Sequence, residues 1–499
     1  MSTPAPKATY NLVDNTLSVP DLVSGIAFVQ GITKRGPVKD PSILVYSWAQ
    51  FVQLFGGYLS TSDFPLHCKI LLDRGVVLRV NSIKTNADTA SVNVVNSEVS
   101  PDLLFTLASK YGGGDYNNLS AIVSAPSDEN LGTFNLLVSF NEGEYTETYE
   151  NLKADEDILN AAFANSKWVE VEAMGAIDTL LAGASEGDET VVTPAFDTYE
   201  LVGGDDGDLD IDADLADFTP WDEYDDGIFL SVLCDTTAVP GAIETAGEAY
   251  AASRKDLRYY ASIETSDDSN TIITTRKTLP YSRYISYSSG GWEIIHPNTG
   301  VLYNISEISH FIANGVNTIS QDGWWFSFSG PDKPVSNVLK PVNNYGSKAK
   351  FTELDQLNRN QVNMAINRNG LNMFWGNFSG QRENTHTKFI STNNLIIFMG
   401  KSLIPVMESF LEKPLDIPLF RTIYYTVKPF LNRLVTGRAI FDYQWVGDQN
   451  VNTIQEVTVN TPEDIQMGKY KVRLPITRIN PLQEFELTIE LTRAGATIE

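Results

Sequence analysis

Two segments near the carboxyl end constrain the fold more than any other feature. Tyr470, Val472, Leu474 and Ile476 alternate with Lys471, Arg473, Pro475 and Thr477. Beyond an Asn480-Pro481 turn, Phe485, Leu487, Ile489 and Leu491 alternate with Glu484, Glu486, Thr488, Glu490 and Thr492. Successive side chains on a strand point to opposite faces, so each run predicts a half-buried strand with one apolar face. Such a strand needs a sheet to cover that face and a neighbour to pair its backbone. Residues 1–20 are polar and broken by Pro4, Pro6 and Pro20, with a β-prone stretch at Thr9–Val13. That composition suits an extended arm. A chain that begins with a β-prone arm and ends in an amphipathic strand offers both as edges to another chain. A terminal hairpin paired within its own sheet fits the same pattern.

Upstream of those strands, Ile396, Met399, Leu403, Val406 and Phe410 recur at steps of 3, 4, 3 and 4. Leu419, Ile423, Val427, Phe430 and Leu434 recur at 4, 4, 3 and 4, after Pro418 at a first helical turn. These spacings predict two amphipathic core helices, which Pro405 and Pro429 are expected to kink or end early. Near the start, Val23–Gln30 and Ile43–Tyr46 read as strands, Trp48–Phe55 as a short helix, and Val76–Val80 as a strand apolar except for Arg79. Residues 96–200 are rich in Ser, Asp, Glu and Gly, with alternating strands such as Phe134–Phe140, and read as an inserted, mostly β domain. From Gly203 the pattern changes to strand–helix alternation. A strand at Gly227–Cys234, a helix at Glu244–Arg254 and a strand at Tyr259–Glu264 predict an α/β layer structure.

Little in the chain points to chemistry. The formal net charge of −27 opposes a nucleic-acid surface, which needs a basic stripe, and an anionic membrane surface. Cys68 and Cys234 show no metal-ligand spacing and read as buried thiols of a reducing compartment. The opening residues lack a basic head followed by an apolar stretch, so a soluble product made in a cytoplasm is expected. The apolar stretch Leu395–Met407 is interrupted by Lys401 and too short to span a bilayer. Of the four histidines, His67 neighbours Cys68, His296 precedes Pro297, and His310 and His386 flank apolar residues; all four read as structural. Gly400-Lys401-Ser402 imitates the end of a P-loop, but Leu395 occupies the first glycine position and the surroundings read as helix. Between Trp168 and Ser253 there is no Lys or Arg. Within that run Asp206, Asp208, Asp210, Asp212 and Asp214 alternate, yet Ile211 and Asp217 fall where a calcium loop needs Gly and Glu. A solvated acidic loop is the expectation, with no metal, no cofactor and no catalytic residue.

Several stretches are together similar to the tail sheath protein of contractile bacteriophages and related contractile injection systems. GITKRGPVKDPSILVYSWAQFVQLFGG (31–57) resembles the family's opening, with GP, a strand and an aromatic helix ending in FGG. DRGVVLRV (73–80) and ASKYGGGDYNNLSAIVS (108–124) resemble its next strands. LVGGDDG (201–207) is similar to the turn that opens the family's subtilisin-like α/β domain, and RKDLRYYASIE (254–264) to a strand within it. ELDQLNRNQVNMAINRNGLNMFWGN (353–377) and GKYKVRLPITRINPLQEFELTIELT (468–492) resemble the late core and the C-terminal arm. Seven such segments occur in the family's order.

The resemblance implies a multidomain α+β and α/β chain: an arm at 1–20, a core segment at 21–95, an inserted β-rich outer domain at 96–200, a subtilisin-like α/β domain without catalytic residues at 201–385, and a tube-proximal domain at 386–499 with an arm from about 470. It also implies a helical stack of hexameric rings around an inner tail tube, with baseplate and tail terminator proteins as partners. Neither nucleic acid nor membrane would be contacted directly. The implied location is the virion tail, assembled in the bacterial cytoplasm. Tyr10, Leu12, Val13, Phe485, Leu487, Ile489 and Leu491 are the candidate inter-subunit arm residues. Lys401, Lys413, Arg421, Lys428, Arg433 and Arg438 are the candidate tube-facing cations. A phage-derived injection device is the neighbouring reading. A degenerate subtilisin-like hydrolase is the rival of a different class.

Overall fold

Short apolar runs bounded by glycine and turn residues build a central, mostly parallel sheet. The computed structural model describes residues 25–83, 87–96, 102–127, 133–175, 194–207, 211–233, 241–447 and 459–482. The candidate arm residues Tyr10, Leu12, Val13, Phe485, Leu487, Ile489 and Leu491 lie outside the described residues, as do Cys234, Asp208 and Asp210. The chain divides into two units, and the larger comprises Ser24–Asp322 and Phe328–Glu383.

In the larger unit, β1 (Ile26–Gly31), β2 (Leu44–Val45), β3 (Val77–Ser82), β4 (Phe229–Val232), β5 (Arg258–Ser262), β6 (Ile285–Ser289), β7 (Val362–Arg368) and β8 (Leu371–Trp375) stand in the order β8-β7-β6-β5-β4-β1-β3-β2. The inner strands pair parallel, and β2 and β8 close the edges antiparallel. A parallel sheet needs cover on both faces, and accordingly every residue of β1 and β6 is buried. On one side, α2 (Phe64–Asp73) and α5 (Ile308–Gln321) pack on each other and on the sheet. On the other, α3 (Ala242–Arg254), α4 (Ser269–Thr278) and α6 (Phe351–Arg359) cover a core that includes Phe28, Leu230, Tyr259, Tyr287 and Met364. Two glycines allow close approach from opposite sides. A Cβ at Gly247 would meet the Tyr259 ring at 2.7 Å, and one at Gly315 the Phe229 ring at 2.6 Å. The short helix α1 (Trp48–Phe55) starts where the Ser47 hydroxyl accepts from the Gln50 N–H and ends at Gly56, whose φ of 85° suits glycine.

Between β3 and β4 the chain leaves the sheet to form two antiparallel sheets. One contains Ser91–Val95, Leu103–Ser109 and Val169–Met174; the other contains Leu119–Ser124, Phe134–Phe140, Tyr145–Leu152 and Thr198–Glu200. They share their own core of Phe105, Phe134, Leu136, Phe140, Phe163 and Trp168, with a helix at Glu156–Phe163. A polar clamp ties this insertion to the strand region after β1. The Arg35 guanidinium donates to Asp115 at 2.7 Å and lies 4.1 Å from the Phe140 ring centroid, while the Gly36 N–H donates to the Tyr116 hydroxyl at 3.1 Å.

The smaller unit is described over Gly323–Ser327, 384–447 and 459–482. It holds α7 (Ile390–Glu408), α8 (Ile417–Thr436) and an antiparallel pair, Ile440–Tyr443 with Ile476–Arg478. The apolar stripe expected on α8 is observed: Ile423, Val427, Phe430 and Leu434 are buried. The stripe expected on α7 is met in part, with Met399, Val406 and Phe410 buried and Leu403 half-buried. Leu395, Phe398, Met399, Ser402 and Val406 are buried, Ile396 is exposed, and Phe410 lies past the helix end. Leu395–Met399 is apolar at all five positions, so two registers fit one spacing; Trp324 and Phe430, 5.2 and 5.6 Å from Phe398, select between them. Neither proline ends its helix. Pro405 sits in the last turn of α7, and Pro429 deprives only the carbonyl of Tyr425, whose residue is exposed and solvated. The strand expected over Tyr470–Ile476 begins only at Ile476, with one isolated bridge from Arg473 to Val446. Its first half is instead a strap, held by the Asn460 side chain, which donates to the Lys471 carbonyl and accepts from its N–H.

Candidate assembly surfaces

In open parallel sheets, ligands sit at the carboxyl ends of strands where the chain order reverses. Here that position falls between β1 and β4, and it is filled. The Gln30 amide donates to the carbonyls of Asp214, Leu215 and Asp217 at 3.1, 3.2 and 3.0 Å, and its oxygen accepts from Asn81 and the Trp221 indole. Trp221 stacks on Phe28 with ring centroids 4.9 Å apart. The acidic run therefore does more than solvate a loop. Asp214 is buried, and Lys39 lies 3.3 Å from it and 3.1 Å from Asp217. Further along the same edge, buried Glu307 accepts from the Ser262 hydroxyl and the Gly291 N–H, both at 3.0 Å. Burial pushes its carboxyl above the usual range.

One serine–histidine contact deserves comparison with a hydrolase. The Ser309 hydroxyl lies 3.0 Å from His67 Nδ1, but Ser309 is wholly buried and burial pushes His67 down to about 4. No substrate reaches that pair. Gly400-Lys401-Ser402 lies inside α7, where helical hydrogen bonding leaves no backbone cradle for phosphate. Among the described residues, no group of three or more His, Cys, Asp or Glu is placed to hold a metal ion, and no helix is long and apolar enough to cross a membrane.

Exposed apolar side chains occur on both units, among them Phe196 and Ile295 on the larger and Phe441 and Leu482 on the smaller unit. Its strand pair continues through Gln444 and Val446, whose N–H groups donate to Pro475 and Arg473 at 2.9 Å. Arg478 anchors it by donating to the Ala439 and Trp325 carbonyls at 2.7 and 2.8 Å, while the Trp325 indole donates to Gly437. Burial pushes the Arg478 guanidinium down to about 10. Phe420 stacks on Tyr470 at 4.4 Å, which seats the strap on α8. Phe441 is 73% exposed on the strand beside it.

Three of the six candidate cations, Arg421, Lys428 and Arg433, lie on α8. Arg421 and Lys428 lie seven residues apart and so share a face of α8 with the exposed Tyr425. Arg433, five residues beyond Lys428, lies ~140° further round the helix. Lys413 caps the turn after α7 with its Nζ 4.7 Å from the Phe410 ring centroid, Lys401 is half-buried on α7, and Arg438 follows α8 at a φ of 61°. Charge nonetheless divides sharply along the chain. Residues 384–499 carry 12 Lys and Arg against 12 Asp and Glu, while residues 1–383 carry 24 against 51. The stretch 96–200 alone carries 3 against 20. Sequence reading missed the Gln30–Trp221 plug and the Arg35–Asp115 clamp, because both join residues far apart in the chain. The alternation of Phe441, Tyr443 and Trp445 was the available signal for the strand after α8.

No protein-family profile matches the sequence, and no curated protein is similar to it. Solved structures are similar in fold. A sheath tail protein from Listeria innocua has a TM-score of 0.60 and 11% identity, covering 92% of this chain and 96% of that one. The helical sheath of the anti-feeding prophage in its contracted state has a TM-score of 0.58 and 10% identity, over 98% and 99% of the two chains. The contracted sheath complex of the extracellular contractile injection system PVC has a TM-score of 0.57 and 9% identity, over 99% of both. Across nearly its whole length, this mixed α+β multidomain chain has the fold of the sheath tail proteins of phages and contractile injection systems.

Proposed function

We propose that this chain is a tail sheath protein. It polymerises as stacked six-membered rings around an inner tube and shortens to drive that tube through a cell envelope. The observation that carries this reading is the fold shared end to end with a helical sheath in its contracted state, at 98% and 99% coverage. The filled sheet edge and the sealed Ser309–His67 contact support a mechanical role over a hydrolytic one.

The arm at 1–20 and the strand Phe485–Leu491 would each add to the strand pair of a neighbour's smaller unit. Backbone hydrogen bonds would tie the copies, and alternating side chains would set the register. Burying Phe485, Leu487, Ile489 and Leu491 contributes roughly 6–12 kcal/mol gross, at about 1.5–3 each. Such links hold while the globular units turn as rigid bodies. A heterologous contact that does not close produces a helix. The charge division supports an acidic exterior that keeps copies apart and soluble, with the neutral segment 384–499 turned to the tube. Baseplate and terminator proteins would bound the stack, in a virion tail assembled in the host cytoplasm. The likeness to the anti-feeding prophage and PVC sheaths favours a second reading with the same mechanics, an injection device that delivers effectors rather than a genome.

The test is negative-stain electron microscopy of the chain expressed alone and concentrated. Hollow helical tubes are expected, and a chain lacking residues 485–499 should remain monomeric. Separate compact particles at every salt concentration, persisting with the matching tube and baseplate proteins, would overturn the sheath reading.

A further inference from the structure

Helices α2 and α5 pack on each other along a seam that holds two histidines and an arginine. His67 and His310 are 4% and 1% exposed, and Ser309, which His67 Nδ1 meets at 3.0 Å, is wholly buried. Arg74, at the end of α2, crosses the seam and donates to Asn314 Oδ1 of α5 at 2.6 Å. Burial above all, and then the charges of Arg74 and His67, oppose a proton on His310. Its buried Nδ1 has no hydrogen-bond partner among the described residues, and its ring meets Trp292 edge-to-face with centroids 6.4 Å apart.

The described elements around the seam commit their carboxylates elsewhere. Helix α1 and strands β1 and β6 carry no Asp, Glu, Lys or Arg. Strand β3 brings Arg79, which Asp226 holds at 2.6 Å, and β5 brings Arg258, which donates to Ser286. Lys69 and Asp73 of α2 pair with each other, as do Lys333 and Asp322 beyond α5 and Lys340 and Glu293 beside Trp292. Asp63, before α2, accepts from the Tyr303 hydroxyl. Glu307 starts α5 but is turned to Ser262 and Gly291. A protonated imidazole donates from both nitrogens. A proton on either ring therefore adds a buried charge beside Arg74, and on His310 it also adds a donor without an acceptor. Helices that part let water solvate all three cations.

We propose that the α2–α5 seam is an acid-operated latch, closed while both imidazoles are neutral and opened when His67 and His310 take up protons together. The opening is local to the seam and leaves the insertion and its core folded. It belongs to the larger unit alone and is independent of the sheath reading.

Cys68 reports the opening, because it is wholly buried on α2 beside His67. A closed seam holds His67 at about 4, whereas an opened one lets each imidazole titrate near ~6.5. Between those values each proton taken up multiplies the opening constant about tenfold per pH unit, and two multiply it about a hundredfold. The full chain is treated with 2,2′-dithiodipyridine between about pH 6 and pH 4.5. The rate at Cys68 is read by peptide mass spectrometry and divided by that of glutathione at the same pH. It should rise about a hundredfold per pH unit in the parent, and about tenfold in His67→Asn or His310→Phe. Arg74→Gln keeps a donor for Asn314 and should move the rise to lower pH, since losing that cation eases protonation of the closed seam. Hydrogen exchange of the parent over Phe134–Phe140 should stay slow throughout. A flat rate, or a slope unchanged in both histidine variants, would overturn the latch. So would loss of protection over Phe134–Phe140 in step with labelling of the parent, a result that depends on no variant.

Discussion

The clamp between Arg35 and Asp115 gives the sharpest prediction of stability. Asp115 has a side chain only 4% exposed and lies 2.7 Å from Arg35 and 2.8 Å from Lys34. Replacing it by Ala leaves the Arg35 guanidinium, itself 2% exposed, buried beside Phe140 without that carboxylate. Its remaining bonds to the Val52 and Gln53 carbonyls, at 2.9 and 3.4 Å, do not balance a full charge. Removing one partner of a buried pair costs about 3–5 kcal/mol, whereas the 44%-exposed Lys34 contributes at most about 1. The larger unit has roughly 350 residues, so an unfolding entropy of ~2.1 cal/mol/K per residue gives about 0.75 kcal/mol/K. Asp115→Ala should therefore lower Tm by about 4–7 °C in calorimetry or thermal circular dichroism. Adding Arg35→Met removes the orphaned charge and should recover about half of that loss. A single variant within about 1 °C of the parent, or a double variant whose losses simply add, would show that the pair does not hold the insertion to the core.

Two other perturbations test the interior. Burial holds His67 at about 4 and pushes His310 well below the ordinary imidazole range, so the unfolded chain binds the extra protons. Stability contributed by each is present above about pH 6.5 and falls as pH drops towards 4, by up to ~1.4 kcal/mol per pH unit. Glu307, raised by burial, acts with the opposite sign, because the native state keeps its proton longer. The His67 share is thus the difference in slope between the parent and His67→Asn in guanidinium titrations from pH 5 to 7; equal slopes would contradict it. At the sheet edge, Trp221→Ala removes both the stack on Phe28 and the bond to Gln30, and should cost about 3–5 kcal/mol. Trp221→Phe keeps a ring and loses the bond, at about 1 kcal/mol, and a reversed order in denaturant unfolding would sink the plug.

Local periodicity determined much of this protein. Trp48–Phe55, Phe134–Phe140 and the buried stripe of α8 follow directly from the spacing of their apolar residues, because each spacing admits one face. Glycine and proline marked where strands end, and the charge division along the chain is visible without coordinates. Other features were not decided locally. The run Leu395–Met399 fits two helical registers, and only packing against Trp324 and Phe430 chooses one. Tyr470–Pro475 has a strand's alternation, yet Asn460 takes its backbone and makes it a strap. Gln30 meets Trp221 across 191 residues and Arg35 meets Asp115 across 80, so no window of sequence brings either pair together. Sequence by itself determined which faces are apolar and where charge accumulates, since both are sums over neighbours in the chain. Which buried polar groups find partners, and which surfaces stay open, was decided by tertiary structure, since hydrogen bonds and grooves depend on distances that chain order does not contain.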